Sequence, residues 1–238
     1  MLKKVALITG ASRGLGRTIA LTLARQGYAI GVNYLSSSAE AEEVARLSGN
    51  GSCAIRADVG DAGQVAGMAA EIERRFGRLD AVINNAGISR DALLVRQTEE
   101  DWDSVVRTNL SGCLHVIRQV APLMVRSGGG HIVNIASHSG MRGKAGQAAY
   151  SASKAALLGL TVCTAVELGE SDIRVNAVMP GYLDTGMGGA AAAARQEAIK
   201  RSLLGSLSSA EEAAGFIAWL LTTSCITGQV FSLDSRII

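Results

Sequence analysis

Short apolar runs alternate with longer stretches of helical periodicity from one end of the chain to the other. Val5–Thr9, Ala29–Asn33, Cys53–Ala57, Ala81–Asn84, His131–Ala136, Arg174–Val178 and Val230–Leu233 read as strands. Between them the spacing predicts helices over 14–26, 38–48, 61–76, 99–126, 148–169, 190–203 and 209–222. Strands that are apolar at nearly every position are buried on both faces, as in a parallel sheet covered by helices. The pattern therefore predicts an α/β fold, a doubly wound parallel sheet of about seven strands with right-handed crossovers. No linker-like segment and no repeat interrupts residues 1–238, which read as one domain. The least regular stretch is 184–208, where a glycine-rich run meets Ala190–Ala194. It is expected to form a mobile helical lid over a site.

Composition sharpens this picture. Hydrophobic residues make up 48% of the chain but aromatics only 4%, so the core must be built from Ala, Val, Leu and Ile. With 28 glycines and 2 prolines, tight turns are plentiful and disorder is disfavoured. The net charge of +2 is spread without basic runs, which argues against a nucleic-acid partner. Cys53, Cys113, Cys163 and Cys225 are far apart, as expected of free thiols in a reducing compartment. His115, His131 and His138 lack ligand spacing, so no metal is expected, and His138 reads as a surface imidazole. The apolar run after Lys3-Lys4 is too short for a signal peptide. No uninterrupted apolar stretch reaches the roughly 18 residues of a membrane span. A soluble cytoplasmic protein with no membrane partner is expected.

The first strand runs into Thr9-Gly10-Ala11-Ser12-Arg13-Gly14-Leu15-Gly16, and a helix follows. Gly10 permits the tight turn, Gly14 lets backbone approach a pyrophosphate, and Gly16 allows close helix–strand packing. Ser12 and Leu15 complete the loop, and the helix N-terminus offers free N–H groups to phosphate. The spacing, G-x-x-x-G-x-G, differs from G-x-G-x-x-G, but its strand–loop–helix setting makes the sheet Rossmann-type. An acid closing the second strand would bind the ribose 2′-hydroxyl of NAD. Here Asn33-Tyr34-Leu35-Ser36-Ser37-Ser38 contains none. Arg13 is placed to pair with a 2′-phosphate, with Asn33 and the serines as donors, so NADPH/NADP+ is expected over NADH. Asp58 and Val59, after the third strand, are expected near the adenine.

Tyr150 and Lys154 occupy one face of a helix, one turn apart. A fixed ammonium beside a phenol favours the phenolate and makes the pair a candidate proton-transfer device.

These motifs, with Asn84-Asn85-Ala86-Gly87, Asn109, Ser137 and Pro180-Gly181 in the same order, resemble the short-chain dehydrogenase/reductase family across essentially the whole length. The runs Gly87–Arg96 and Arg107–Gly112, with Trp102, look most like its 3-oxoacyl-ACP reductases. The resemblance implies a catalytic set of Asn109, Ser137, Tyr150 and Lys154. Tyr150 would protonate the substrate carbonyl oxygen as hydride arrives. Ser137 would hydrogen-bond that oxygen, and Lys154 would hold the nicotinamide ribose. Asn109 would support a water chain through Lys154. Asn85, Ala86 and Gly87 would border the adenosine side, and Val178–Gly181 with Thr185 would cradle the nicotinamide. The implied activity is NADPH-dependent reduction of an ACP- or CoA-linked 3-oxoacyl thioester in acyl-chain biosynthesis, by a homotetramer. The same residues would also serve a dehydrogenase of another secondary alcohol, whereas the intact set argues against an idle NADP(H) sensor.

Two departures stand out. Where the subgroup carries basic residues for carrier docking, this chain has Gly128–Gly130 and Glu170–Asp172, with Arg126 and Arg174 shifted. Where the family ends Asp-Gly-Gly, this chain has Asp234-Ser235-Arg236. These predict weaker steering of an acidic carrier, a substrate that is an unusual acyl chain, is borne by a specialised carrier protein or is a CoA thioester, and altered assembly at Ser235–Ile238.

Overall fold

The computed structural model describes residues 3–184 and 192–236. Among them, β1 (Val5–Ile8), β2 (Ala29–Tyr34), β3 (Cys53–Arg56), β4 (Ala81–Asn84), β5 (Gly130–Ile135), β6 (Ile173–Met179) and β7 (Val230–Ser232) form one parallel sheet. The strand order is β3-β2-β1-β4-β5-β6-β7. Strand alternation divides the core. Ala6 and Ile8 face one layer with Ile19, Leu23 and Ile217, while Val5 and Leu7 face the other with Met68, Ile72 and Met124. The helices α1 (Gly14–Arg25), α2 (Ser38–Ser48) and α9 (Ala210–Leu220) cover the first face. The helices α3 (Ala62–Phe76), α5 (Gly112–Arg126) and α7 (Ala148–Leu168) cover the second. Because both faces are covered, the strands need no polar side, which is why each reads as an apolar run.

The sheet reverses its winding between β1 and β4, which pair with each other as β1 also pairs with β2. Loops leaving neighbouring strands toward opposite faces open a crevice at the strand C-termini. Strand and helix ends agree with the sequence pattern to within a residue or two, the usual scatter of frayed ends.

The segment expected as one helix over 99–126 is instead three pieces. α4 (Glu99–Val106) and α5 are joined by a π-helical turn, Arg107–Ser111. That wide turn aims the Asn109 side chain inward, and Gly112 follows where a Cβ would lie 2.8 Å from Val59. The short helix α6 (Ser139–Arg142) lies in what reads as loop. Of the expected lid, α8 (Ala192–Arg201) is helical, whereas 185–191 lie outside the described residues, as do Ile237 and Ile238.

α7 is the longest helix among the described residues. Its span Ala148–Ser171, with mean hydropathy 1.3, is long and apolar enough to cross a membrane by length and composition. It also buries Lys154 and packs along β6. Its outer face carries Ala152, Ala155, Ala156, Gly159, Val162 and Val166, small or apolar and exposed.

Candidate active site

The glycine loop sits at the C-terminal end of β1. Gly10 and Gly14 adopt left-handed φ values of 62° and 56°, a conformation that costs glycine little. At Gly16 a Cβ would meet the Asn85 amide nitrogen and the Gly10 carbonyl, each at 2.6 Å. Ser12 and Leu15 are buried beneath the loop. The N-cap residue of α1, Arg13, makes no side-chain capping bond, in contrast to α3, where Asp61 accepts from the N–H groups of Gly63 and Gln64. The free N–H groups and the dipole of α1 therefore face the crevice, a setting suited to pyrophosphate.

Two asparagines and a threonine hold this loop. Asn85 Nδ2 donates to the carbonyls of Thr9 at 2.9 Å and Gly10 at 3.1 Å. Thr9 Oγ1 accepts from the N–H groups of Asn85 and Ala86, both at 3.0 Å. Asn33 accepts from Gly10 N–H at 3.2 Å and donates to the Ala57 carbonyl at 3.1 Å. The structure thus corrects the expectation that the Asn33 amide faces a 2′-phosphate. Asn33 is 2% exposed, and its polar atoms tie the loop to β3. The positioning role of Thr9 was missed, although a threonine closing a buried strand is a legible signal.

Beyond β2 no carboxylate appears before Glu40, and Arg13 is exposed at the α1 N-cap. Asp58 accepts from Gly60 N–H at 2.8 Å and lies 3.8 Å from the Arg107 guanidinium. Val59 is buried, its carbonyl 3.1 Å from His115 Nδ1.

The four candidate catalytic residues come from three places: the π turn, the loop after β5 and α7. Asn109, fully buried, accepts from Ile88 N–H at 2.8 Å and donates to the Ile88 carbonyl at 2.9 Å and to Ser153 Oγ at 3.1 Å. Its amide is therefore spent on linking the loop after β4 to α7, which leaves any support of water to its main chain. Cys113 Sγ donates to that main-chain oxygen at 3.3 Å, and burial pushes the thiol up to about 11. Lys154 donates to the Ile135 carbonyl at the end of β5, and its Nζ lies 5.9 Å from the centroid of the Tyr150 ring. A Cβ on Gly87 would lie 3.2 Å from Asn109 Oδ1 and 3.7 Å from Lys154 Nζ. Ser137 follows β5 by two residues, half-buried, and its hydroxyl accepts from Ser139 N–H at 3.2 Å.

A second network, not legible in the sequence, fixes the floor. Gln147 donates to Asp91 at 2.9 Å and accepts from Ser139 Oγ at 3.2 Å, and Ala92 N–H donates to the Gly146 carbonyl at 2.9 Å. It staples the loop after β4 to the segment leading into Tyr150. On the far side Pro180 is buried. Gly181 has φ 83°, and a Cβ there would collide with Ser208 Oγ. Thr185 lies outside the described residues.

The chain matches the short chain dehydrogenase family over residues 4–196. It is 48% identical over 187 residues to a Staphylococcus aureus protein named 3-oxoacyl-[acyl-carrier-protein] reductase FabG, covering 77% of this chain and 76% of that one. A Synechocystis protein named 3-oxoacyl-[acyl-carrier-protein] reductase is 40% identical over 242 aligned residues, covering 99% and 97%. A Thermotoga maritima relative with the FabG name is 39% identical over 241, covering 99% and 98%.

Proposed function

Because the chain belongs to the short chain dehydrogenase family, we propose that it is an NADPH-dependent reductase of 3-oxoacyl thioesters, forming 3-hydroxyacyl thioesters in acyl-chain synthesis. The observation that carries the reading is the buried Lys154 ammonium, anchored to β5 beneath the Tyr150 ring and beside Gly87 and Asn109. Full-length relatives with the reductase name support the substrate class.

When bound, the dinucleotide supplies the hydride. The chain's own residues do the rest. Tyr150 gives its hydroxyl proton to the carbonyl oxygen as negative charge develops there. Ser137 donates a hydrogen bond to the same oxygen and lowers the cost of that charge. Lys154 balances the phenolate left behind and reaches the nicotinamide ribose. Asn109 and Ser153 keep α7 and the loop after β4 in register, so these groups meet without reorganising. Gly10, Ser12, Gly14, Leu15 and Gly16 would cradle the pyrophosphate, Asp58 and Val59 would border the adenine, and Asn85, Ala86, Gly87, Pro180 and Gly181 would line the rest. Selection of NADPH over NADH falls to Arg13, exposed beside the loop, with no acid in the sequence between β2 and Glu40.

Arg126 pairs with Glu73 at 2.6 Å and Arg174 with Asp172 at 2.6 Å. Both arginines near the expected carrier-docking places are thus committed, which favours a specialised carrier or a CoA thioester over strong electrostatic capture of an acidic carrier. The exposed small-residue face of α7, with Leu114 and Val125 on α5, supports assembly as a homotetramer.

Loss of NADPH absorbance with acetoacetyl-CoA and with 3-oxoacyl-ACP tests the reading. Turnover of a plain ketone with neither thioester reduced rejects it.

A further inference from the structure

A cavity of about 250 Å³ is lined by His138, Arg142, Arg201, Leu203 and Arg236. It reaches the residue directly after Ser137, yet none of the five belongs to the reaction described above. The basic groups come from three separate segments, so no local run of charge accounts for them. The tail is tied to the segment after α8 by Leu203 N–H, which donates to the Ser235 carbonyl at 3.3 Å, and by the Ser202 and Ser235 hydroxyls at 2.5 Å.

The acids nearby do not fill the cavity's donor capacity. Asp234 accepts from Arg236 Nε at 2.8 Å, from one Nη and from its backbone N–H at 3.0 Å. A guanidinium has five N–H donors, so the second Nη of Arg236 is uncommitted among the described residues. Burial raises the Asp234 carboxyl, but the hydrogen bonds and charge of Arg236, with a contribution from His138, outweigh this and hold it below the usual range. It therefore stays ionised and locks Arg236 in place. Glu197 takes Nε of Arg201 at 2.6 Å in an exposed pair. Arg142 is exposed and has no ion pair among the described residues. Leu203 gives the lining an exposed apolar member, and Met141 and Leu204, next in sequence to lining residues, are exposed as well.

A cationic cavity with an apolar lining residue suits an anion carried on an organic chain. We propose that this cavity is an anion subsite of the substrate site, holding a phosphate or carboxylate borne by the substrate while its keto group lies at Ser137 and Tyr150. The inference rests on the thioester reading. Such a substrate can carry the anion in two places: the phosphate of a pantetheine arm, or a carboxylate ending the acyl chain.

The test compares four 3-oxoacyl substrates with saturating NADPH. They are a neutral N-acetylcysteamine thioester, the matching CoA thioester, an N-acetylcysteamine thioester whose acyl chain ends in a carboxylate, and the methyl ester of the last. The variants are Arg142→Gln and Arg201→Gln, both at exposed positions, with Arg142→Lys as the charge-conserving control. For the substrate whose anion enters the cavity, the glutamine variants raise KM about tenfold, the scale of one charged hydrogen bond. The neutral thioester keeps its KM and kcat within twofold, and Arg142→Lys recovers most of the loss. An effect confined to CoA identifies the phosphate, and one confined to the free carboxylate identifies the acyl end. Equal losses on neutral and charged substrates, or no loss on either charged one, overturn the proposal. If the wild type reduces no thioester, the thioester reading fails alone. The carboxylate and methyl-ester pair is then compared as plain ketones, and equal KM changes in that pair overturn the subsite.

Discussion

Lys154 donates to the main-chain oxygen of Ile135 at 2.5 Å from a side chain that is 3% exposed. A buried ammonium is costly unless paired and hydrogen-bonded, and this one has no carboxylate partner among the described residues. The carbonyl fixes its position without neutralising its charge. That charge is left to act on the Tyr150 ring, 5.9 Å from centroid to Nζ. Tyr150→Phe keeps the ring and removes only the proton. Turnover is expected to fall at least ~10²–10⁴-fold, as for loss of a general acid, with cofactor affinity nearly unchanged. Lys154→Ala is expected to damage both. Single-turnover hydride transfer decides: a Tyr150→Phe rate within threefold of wild type removes Tyr150 from the reaction.

Arg13 and Asn33 were both expected at the phosphate, and the structure separates them. Arg13→Ala should shrink the preference for NADPH over NADH by roughly tenfold or more, since a charge-assisted contact is worth ~1.5–3 kcal/mol. Asn33→Ala frees the glycine loop from β3 and should weaken both cofactors alike. Dissociation constants for the two cofactors, measured by fluorescence titration, check this. A change of preference in the Asn33 variant would return its amide to the phosphate.

Asn109 makes three hydrogen bonds across two elements, the one to Ser153 fully buried. Its replacement by alanine should cost about 2–4 kcal/mol, from lost bonds and from the Ile88 main-chain groups left unsatisfied. Urea unfolding measures the loss. A variant with wild-type stability but reduced turnover would point instead to a direct part in proton supply.

His131, 8% exposed at the start of β5, has its imidazole pushed down to about 4 by burial first, then by the charges of Arg174 and Lys4, with Asp172 opposing. Its folded value lies below the unfolded one of ~6.5, so the unfolded state binds more protons between them. Stability is full above pH ~6.5 and declines as pH falls toward 4, by about 2–3 kcal/mol from this group. His131→Gln should flatten that part of the profile. An unchanged slope between pH 6.5 and 4 in the variant rejects the assignment.

Val166 is 76% exposed on the outer face of α7. If that face joins subunits, Val166→Glu buries a charge on assembly and should split the tetramer. Light scattering reads this directly. A wild-type mass of 24.6 kDa, the single chain, would exclude assembly altogether.

The chain itself determined the sheet and its layers. Apolar runs such as Val5–Ile8 can be satisfied only where both faces are covered, and glycines at 10, 14 and 16 are read by spacing because each answers a local demand of backbone geometry or close approach. Tyr150 and Lys154 were legible for the same reason, because a spacing of four fixes their shared face within one helix. What tertiary structure decided is where polar side chains spend their hydrogen bonds. Asn33 turned inward to β3, Asn109 was committed to Ile88 and Ser153 through a π turn, and Lys154 found a carbonyl nineteen residues away in sequence. Residues 138, 142, 201 and 236 met around one cavity. Apart from 138 and 142, which share one short segment, none of these partners is near in sequence, and periodicity carries no information about their pairing. Their pairing is set by which strand ends and loops the doubly wound sheet brings to the same crevice.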